Sequence, residues 1–305
     1  AGIRLSSDKR RATLQRGMQN LASGITNLNP QLYIGNRDFS NASPELIAEF
    51  KIDDNRFVYI KSSRGYKSGG FNARASSVER FSQGFDDEHL LSTELGFKSE
   101  WFNRRLRLNA AVFYGDYQDI QLNVQSDPDN IVLSDVLNAG AASISGFEID
   151  SSWVINSGLQ IELNCTFLHT DISDVRNANN VNVARDYRLP GAPSRSCSSS
   201  LDMSRTLENG FNLFGNIAYR IQSDSFGSAT TTAGEYRIPG YNMMNLRLGV
   251  ELKVNRFSLQ LASWVRNAGD KEYYLSHFNG GSGRVVPSAI FGPEETAGID
   301  LTLQF

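Results

Sequence analysis

The sequence has little of what most functional classes require. Two cysteines, Cys165 and Cys197, among 305 residues cannot make a disulfide-dense scaffold and fit no zinc spacing. The three histidines, His89, His169 and His277, stand too far apart for a His-x-x-x-His pair, so neither a metal centre nor a cofactor is expected. Lys and Arg total 30 against 33 Asp and Glu, a net charge of −3, which leaves no basic footprint for nucleic acid. The longest apolar run, Ala110–Tyr114, is far short of the roughly 20 residues a membrane-spanning helix needs. No charged-then-apolar leader opens the chain, so no signal peptide is expected in it, and the start at Ala1 without Met suggests a piece of something longer. His169 has Asp171 and Asp174 nearby but no nucleophile motif, so the chain is not expected to be an enzyme.

What is present is alternation. Ile299, Leu301, Leu303 and Phe305 fall on one face of the last residues, with Asp300, Thr302 and Gln304 on the other. Asn245–Lys253 sets Leu246, Leu248, Val250 and Leu252 against polar neighbours. Leu159, Ile161, Leu163, Cys165 and Phe167 do the same. A soluble sandwich also alternates, so period two alone does not fix the environment.

Connection lengths do. Tight polar turns occur at Asp53-Asp54-Asn55, Asn103-Arg104, Asn156-Ser157-Gly158, Glu208-Asn209-Gly210 and Val254-Asn255. Between them lie connections of roughly 15 to 30 residues, too long for ordinary hairpins: Asp8–Asp38, Lys67–His89, Gln121–Asn138, Ile172–Leu189, Asp224–Pro239 and Asp270–Glu294. Strict alternation of short and long connections is the layout of an outer-membrane barrel. About twelve strands, mostly of about 10 to 14 residues, are predicted, long enough to cross a bilayer at a tilt. The eight prolines are expected in loops or at strand beginnings. The fold class is therefore all-β, an antiparallel transmembrane β-barrel, because lipid cannot satisfy backbone polar groups and a membrane sheet must close.

Four stretches resemble the C-terminal barrel of TonB-dependent outer-membrane receptors: Ala42–Leu46, opening a strand that leads through Asp53–Asn55 into Phe57–Asn72; Glu94–Trp101 with Arg105–Tyr114; Asn138–Glu148; and Val265–Tyr273 running on to Phe305. Where the family usually reads Asn-Leu-Phe-Asp-Lys-x-Tyr, this chain has Ala268 and Gly269. The resemblance implies a twenty-two-stranded barrel around an N-terminal plug, with a short box that recruits TonB and its ExbB–ExbD partners. Neither plug nor box is visible in residues 1–305, so the chain is expected to be the C-terminal portion of such a barrel, with two raw sheet edges. The terminal Ile299, Leu301, Leu303 and Phe305 look like the signal read by the barrel-assembly machinery.

The family's import of scarce solutes, most often ferric siderophores, implies a small-molecule ligand held by extracellular loops through aromatic and cationic side chains. Candidates are Arg64, Tyr66, Lys67, Phe71 and Arg74; Arg185, Tyr187 and Arg188; Tyr236, Arg237 and Tyr241; and Tyr273, Tyr274, His277 and Arg284. The same tyrosines could belong to an aromatic girdle in outer-membrane lipid, and the arginines to contacts with lipopolysaccharide phosphates. A receptor importing cobalamin or a saccharide, or a passive porin, remains an alternative. Arg64–Gly70 lacks the Gly-Lys-Ser/Thr ending of a phosphate loop, and Asp127-Pro128-Asp129-Asn130 reads as a solvated turn rather than a calcium site.

If the hairpin around the Ile172–Leu189 loop pairs Thr170 with Ala192, the same register sets Cys165 opposite Cys197 on the lipid-facing parity. The pair then reads either as a disulfide, favoured by an oxidising envelope, or as two small apolar fillers.

Overall fold

A computed structural model describes residues 1–19, 23–125, 133–175, 181–229, 237–254, 257–279 and 287–305. Twelve strands form one antiparallel sheet in sequence order: β1 (Gly2–Leu14), β2 (Tyr33–Asp53), β3 (Arg56–Lys67), β4 (Glu88–Trp101), β5 (Leu106–Gln125), β6 (Ser134–Asn156), β7 (Leu159–Asp174), β8 (Arg195–Thr206), β9 (Phe211–Gln222), β10 (Tyr241–Val254), β11 (Phe257–Arg266) and β12 (Thr296–Gln304). β1 and β12 are the edges of this sheet, so it is not closed within residues 1–305.

The short connections among the described residues fall where the sequence places them, because their chemistry is local; Asn255 lies outside the described residues. Asn55 N–H donates to Asp53 Oδ1 at 3.0 Å, and Gly158 N–H to Asn156 Oδ1 at 2.9 Å, both side chains closing a turn two residues on. Phe102, Asn103 and Arg104 form the third turn with three consecutive positive φ angles of 55°, 56° and 63°.

The strands depart from expectation in length. β5 and β6 run for 20 and 23 residues, and β1 and β2 continue to Leu14 and from Tyr33, inside the stretch read as the Asp8–Asp38 loop. Ile120 and Leu122 of β5 do alternate with Gln121 and Asn123. The extensions of β1 and β2 are instead rich in polar and charged residues, as in Asp8-Lys9-Arg10-Arg11, so little apolar alternation reveals them. For the same reason Ala42–Leu46 lies inside β2 rather than opening it. Pro44 is therefore a mid-strand proline; the ladder of β2 with β3 starts only at Glu45–Ser63, so Pro44 faces a partner strand on one side alone. Among the described residues one short α-helix, Val78–Gln83, interrupts the β pattern, capped by Ser77 Oγ accepting from Arg80 N–H at 3.2 Å and anchored by buried Phe81.

Register gives the sheet two different faces. One row runs Val58, Phe97, Ala110, Ile149, Cys165, Cys197, Ile221 across seven strands. A lower row runs Leu213, Val250, Leu261, Leu301. This face looks outward: Leu248 is 65% exposed and Leu301 70%. The opposite face carries polar pairs. Asn109 donates to Asp150 Oδ1 at 3.0 Å, Asn216 to Asp202 Oδ1 at 2.7 Å, and Arg247 and Trp264 to the two oxygens of Asp300 at 2.7 and 3.1 Å. Lys61 and Glu45 pair at 3.1 Å. On this inner face four aromatics lie directly across from a glycine: Tyr59 and Gly96, Phe113 and Gly146, Phe214 and Gly249, Trp264 and Gly298. The ring covers bare backbone, so any Cβ there would enter it, at 2.5 Å from the Phe113 ring in the case of Gly146.

Cys165 and Cys197 are directly opposed in the β7–β8 ladder and form a disulfide, with Cα atoms 4.1 Å apart. The register that follows from pairing Thr170 with Ala192 holds, and the reading of two unbonded fillers does not.

Candidate functional site

All long connections lie at the end of the sheet opposite the short turns, and there the tall strands carry a second, dry core. Ile120 and Leu122 of β5, Ala142 of β6 and Ile172 of β7 pack with Val175, Ala184 and Ala229 of the loops, flanked by Tyr117, Leu137, Tyr187 and Leu189. Burying such a cluster off the membrane gives the loops a fixed base. Backbone bonds then tie one loop to the next: Arg188 N–H to Ala229 O at 2.8 Å, Gly191 N–H to Phe226 O at 2.9 Å, and Ser134 N–H to Arg74 O at 2.7 Å.

The sequence candidates divide among three places on this layer. In the first, Arg64 and Tyr66 line a cavity of about 510 Å³ with Arg4, Asp8 and Ser43. The Tyr66 hydroxyl donates to Asp8 Oδ2 at 2.5 Å, its ring stacks on His89 at 6.2 Å, and Lys67 pairs with Glu88 at 3.8 Å. Phe71 belongs to packing rather than to the cavity, its ring 5.7 Å from that of Phe81. Arg74 contributes its carbonyl to the loop tie just described. Asn138 holds this loop down: its amide nitrogen donates to Asp86 O at 2.9 Å and Asp119 O at 3.0 Å, while its oxygen accepts from Asp86 N–H.

In the second place, Tyr187 is half-buried against the apolar core, and that burial together with the charge of Asp186 raises its phenol pKa. Arg188 turns back onto the carbonyls of Arg185 and Tyr187 at 3.1 and 2.7 Å. Arg185 is the projecting cation, its side chain 90% exposed.

In the third, Asp224 gathers the loop. It accepts from Gly240 N–H at 2.6 Å and from Arg237 Nε at 2.9 Å, and these donors, Gly240 first, hold its carboxyl below the usual carboxylate value. The rings of Tyr241 and Tyr273 meet at 4.7 Å, Tyr274 packs edge-on to Phe291 at 5.0 Å, and His277 Nδ1 bonds the Arg237 carbonyl at 2.9 Å. A cavity of about 480 Å³ opens beside them, lined by Arg195, Gln222, Asp224, Tyr241 and Lys271. Tyr236 and Arg284 lie outside the described residues, as does Asp127–Asn130.

Sequence reasoning missed Arg4 and Asp8, which reach the first cavity through the pairing of β1 with β2, and Asp224 and Lys271, which the folding of their loops brings to the third place. Asn267, 3% exposed with φ of 52°, explains the Val265–Tyr273 stretch. Its amide donates to Lys271 O at 3.0 Å and Pro293 O at 3.1 Å and accepts from Lys271 N–H, clamping the base of the last loop beside Lys271.

The comparisons agree with this architecture. A family model described as "TonB dependent receptor-like, beta-barrel" matches residues 1–268. The chain belongs to the TonB-dependent receptor family. It is 26% identical over 158 residues to the pesticin receptor of Yersinia enterocolitica, covering 52% of this chain and 22% of that receptor. Among solved structures, the ferric yersiniabactin uptake receptor of Yersinia pestis superposes with a TM-score of 0.72 at 22% identity, over 99% of this chain and 42% of that one. The ferric-catecholate import receptor of E. coli K12 gives 0.65 at 19% identity, over 99% and 41%. The copper transporter OprC gives 0.67 at 17%, over 99% and 45%. Residues 1–305 thus span less than half of these relatives, and at such identities the structural likeness speaks for the fold.

Proposed function

We propose that residues 1–305 form the C-terminal part of the barrel of an outer-membrane receptor that takes up an anionic ferric chelate, such as a ferric siderophore, with energy delivered through TonB and ExbB–ExbD. The observation that carries the reading is the two-faced sheet, apolar outside and polar inside, capped at one end by a loop layer rich in Tyr and Arg. In this reading the plug and the TonB-recruiting segment belong to other parts of the protein. The outer face meets membrane lipid, the arginine-bearing rim meets lipopolysaccharide, and Ile299, Leu301, Leu303 and Phe305 on the outward face of β12 present the assembly signal. The cavities beside Tyr66 and Tyr241 supply aromatic surface and cations from Arg4, Arg64, Arg195 and Lys271, the chemistry that holds an anionic chelate.

Uptake of labelled ferric siderophores into iron-starved cells, with and without the full-length gene, tests this. Loss of uptake of one ferric siderophore on deletion is expected. Unchanged iron uptake with lost cobalamin, saccharide or copper uptake would reassign the cargo.

A further inference from the structure

The Cys165–Cys197 bond lies on the outward, apolar face of the sheet, one same-face position below Arg195. Its row on the outer face runs Ile149, Cys165, Cys197, Ile221, and Leu163 and Phe167, the outward neighbours of Cys165 along β7, are among the exposed apolar side chains. In a membrane this is the hydrocarbon side. Disulfide formation proceeds through a thiolate, which apolar surroundings disfavour, and it requires approach of a second sulfur.

The strand that carries Cys197 also specifies its own position poorly. The inner face of β8 reads Ser196, Ser198, Ser200, and Ser199 faces outward, so sliding the strand by two residues sets serine where serine was and preserves the inside–outside parity. The cystine is the one covalent mark that distinguishes the native register from a slipped one.

Resting on the outer-membrane reading above, we propose that this bond is installed on the unassembled chain in the periplasm by a dithiol–disulfide oxidase, and that it fixes the β7–β8 register before the sheet enters the membrane. The thiolate of one cysteine attacks the oxidase disulfide to give a mixed disulfide and free one oxidase thiol. The thiolate of the other attacks the mixed disulfide, forming Cys165–Cys197 and releasing the second oxidase thiol. Two protons leave the cysteines and two electrons pass to the oxidase.

The test uses the full-length receptor, pulse-labelled in cells, acid-quenched and alkylated with a maleimide that shifts gel mobility once per free thiol. In cells depleted of the barrel-assembly machinery, the unassembled periplasmic chain should already show no free thiol. In cells lacking the periplasmic oxidase, chain that reaches the membrane should keep both thiols and remain unoxidised when purified oxidase is added to the outer membranes. A bond that appears only in the outer-membrane fraction, or that purified oxidase forms there, would overturn the proposal. The Cys165→Ser/Cys197→Ser double variant should reach its heat-resistant assembled form about threefold or more slowly; an unchanged rate would refute the register role. Fractionation of the mature wild-type chain away from the outer membrane would count against the localisation reading, whereas the thiol state of the unassembled chain reports on timing alone.

Discussion

The two halves of the sheet are built to different heights. β5, β6 and β7 extend to 20, 23 and 16 residues and carry Ile120, Leu122, Ala142 and Ile172 into a dry core with the loops. β8, β11 and β12 have 12, 10 and 9 residues, and the last long connection folds as a separate hairpin of Tyr274–Asn279 with Pro287–Phe291. The tall side places apolar residues in a second core beyond the outer-face belt, which Ala229 of the Asp224 loop also joins; the low side adds two polar anchors, Asn267 and Asp224. Loop order thus rests mainly on packing on one side and draws more on hydrogen bonding on the other.

Removing side chains from the tall side should have the largest effect. Leu122→Ala or Ile172→Ala is expected to cost roughly 2–5 kcal/mol of local stability. Trypsin cleavage at Arg185 and Arg188 should rise steeply while the heat resistance of the barrel stays unchanged. Equal protease resistance in variant and wild type would remove the distinction between the two sides.

The Cys165–Cys197 bond closes a loop with a sequence separation of 32, and its loss is expected to cost on the order of 3 kcal/mol through the entropy of the unfolded chain. Melting of the purified receptor with and without the cysteines reads this directly. On the inner face, Gly146→Ala sets a methyl 2.5 Å from both the Phe113 ring and the Phe167 carbonyl. Because one of these is backbone, about 1–3 kcal/mol of overpacking strain is expected, seen as a lowered yield of folded barrel.

The smallest effect belongs to the low side and depends on pH. The Asp224 carboxyl is held below its ordinary value of 3.8, first by Gly240 N–H and then by Arg237. Its contribution to loop order is therefore complete above that value and is lost as the pH falls through the lower, folded value. Amide exchange at Gly240 should accelerate only in that acidic window, and Asp224→Asn should abolish the pH dependence. Exchange at Val175, inside the apolar core, should not respond to this titration.

Much of this was legible in the sequence, for reasons that differ by element. The turns at Asn55 and Gly158 show because side chains two residues away close them. The belt segments of β7, β10 and β12 show because one face must be apolar, and parity sets Cys165 and Cys197 on that same face. The upper reaches of β1 and β2 do not show, because strands polar on both faces carry no alternation, and those of β5 and β6 bury their apolar residues against loops whose folding no local pattern encodes. Arg188 and Arg237 were visible as cations, but their engagement with neighbouring carbonyls and with Asp224 depends on loop folding that no local pattern encodes. Asp8 enters its cavity only through the pairing of β1 with β2, and Lys271 through the Asn267 clamp of the last loop.

The two faces of the sheet are open to direct measurement. Spin labels placed singly from residue 213 to 219 of β9, in the full-length receptor in bilayers, measure collision with lipid-dissolved oxygen position by position. High oxygen access at 213, 215, 217 and 219, with low access at 214, 216 and 218, is the predicted result; access without a two-residue period, or with the opposite phase, would contradict it.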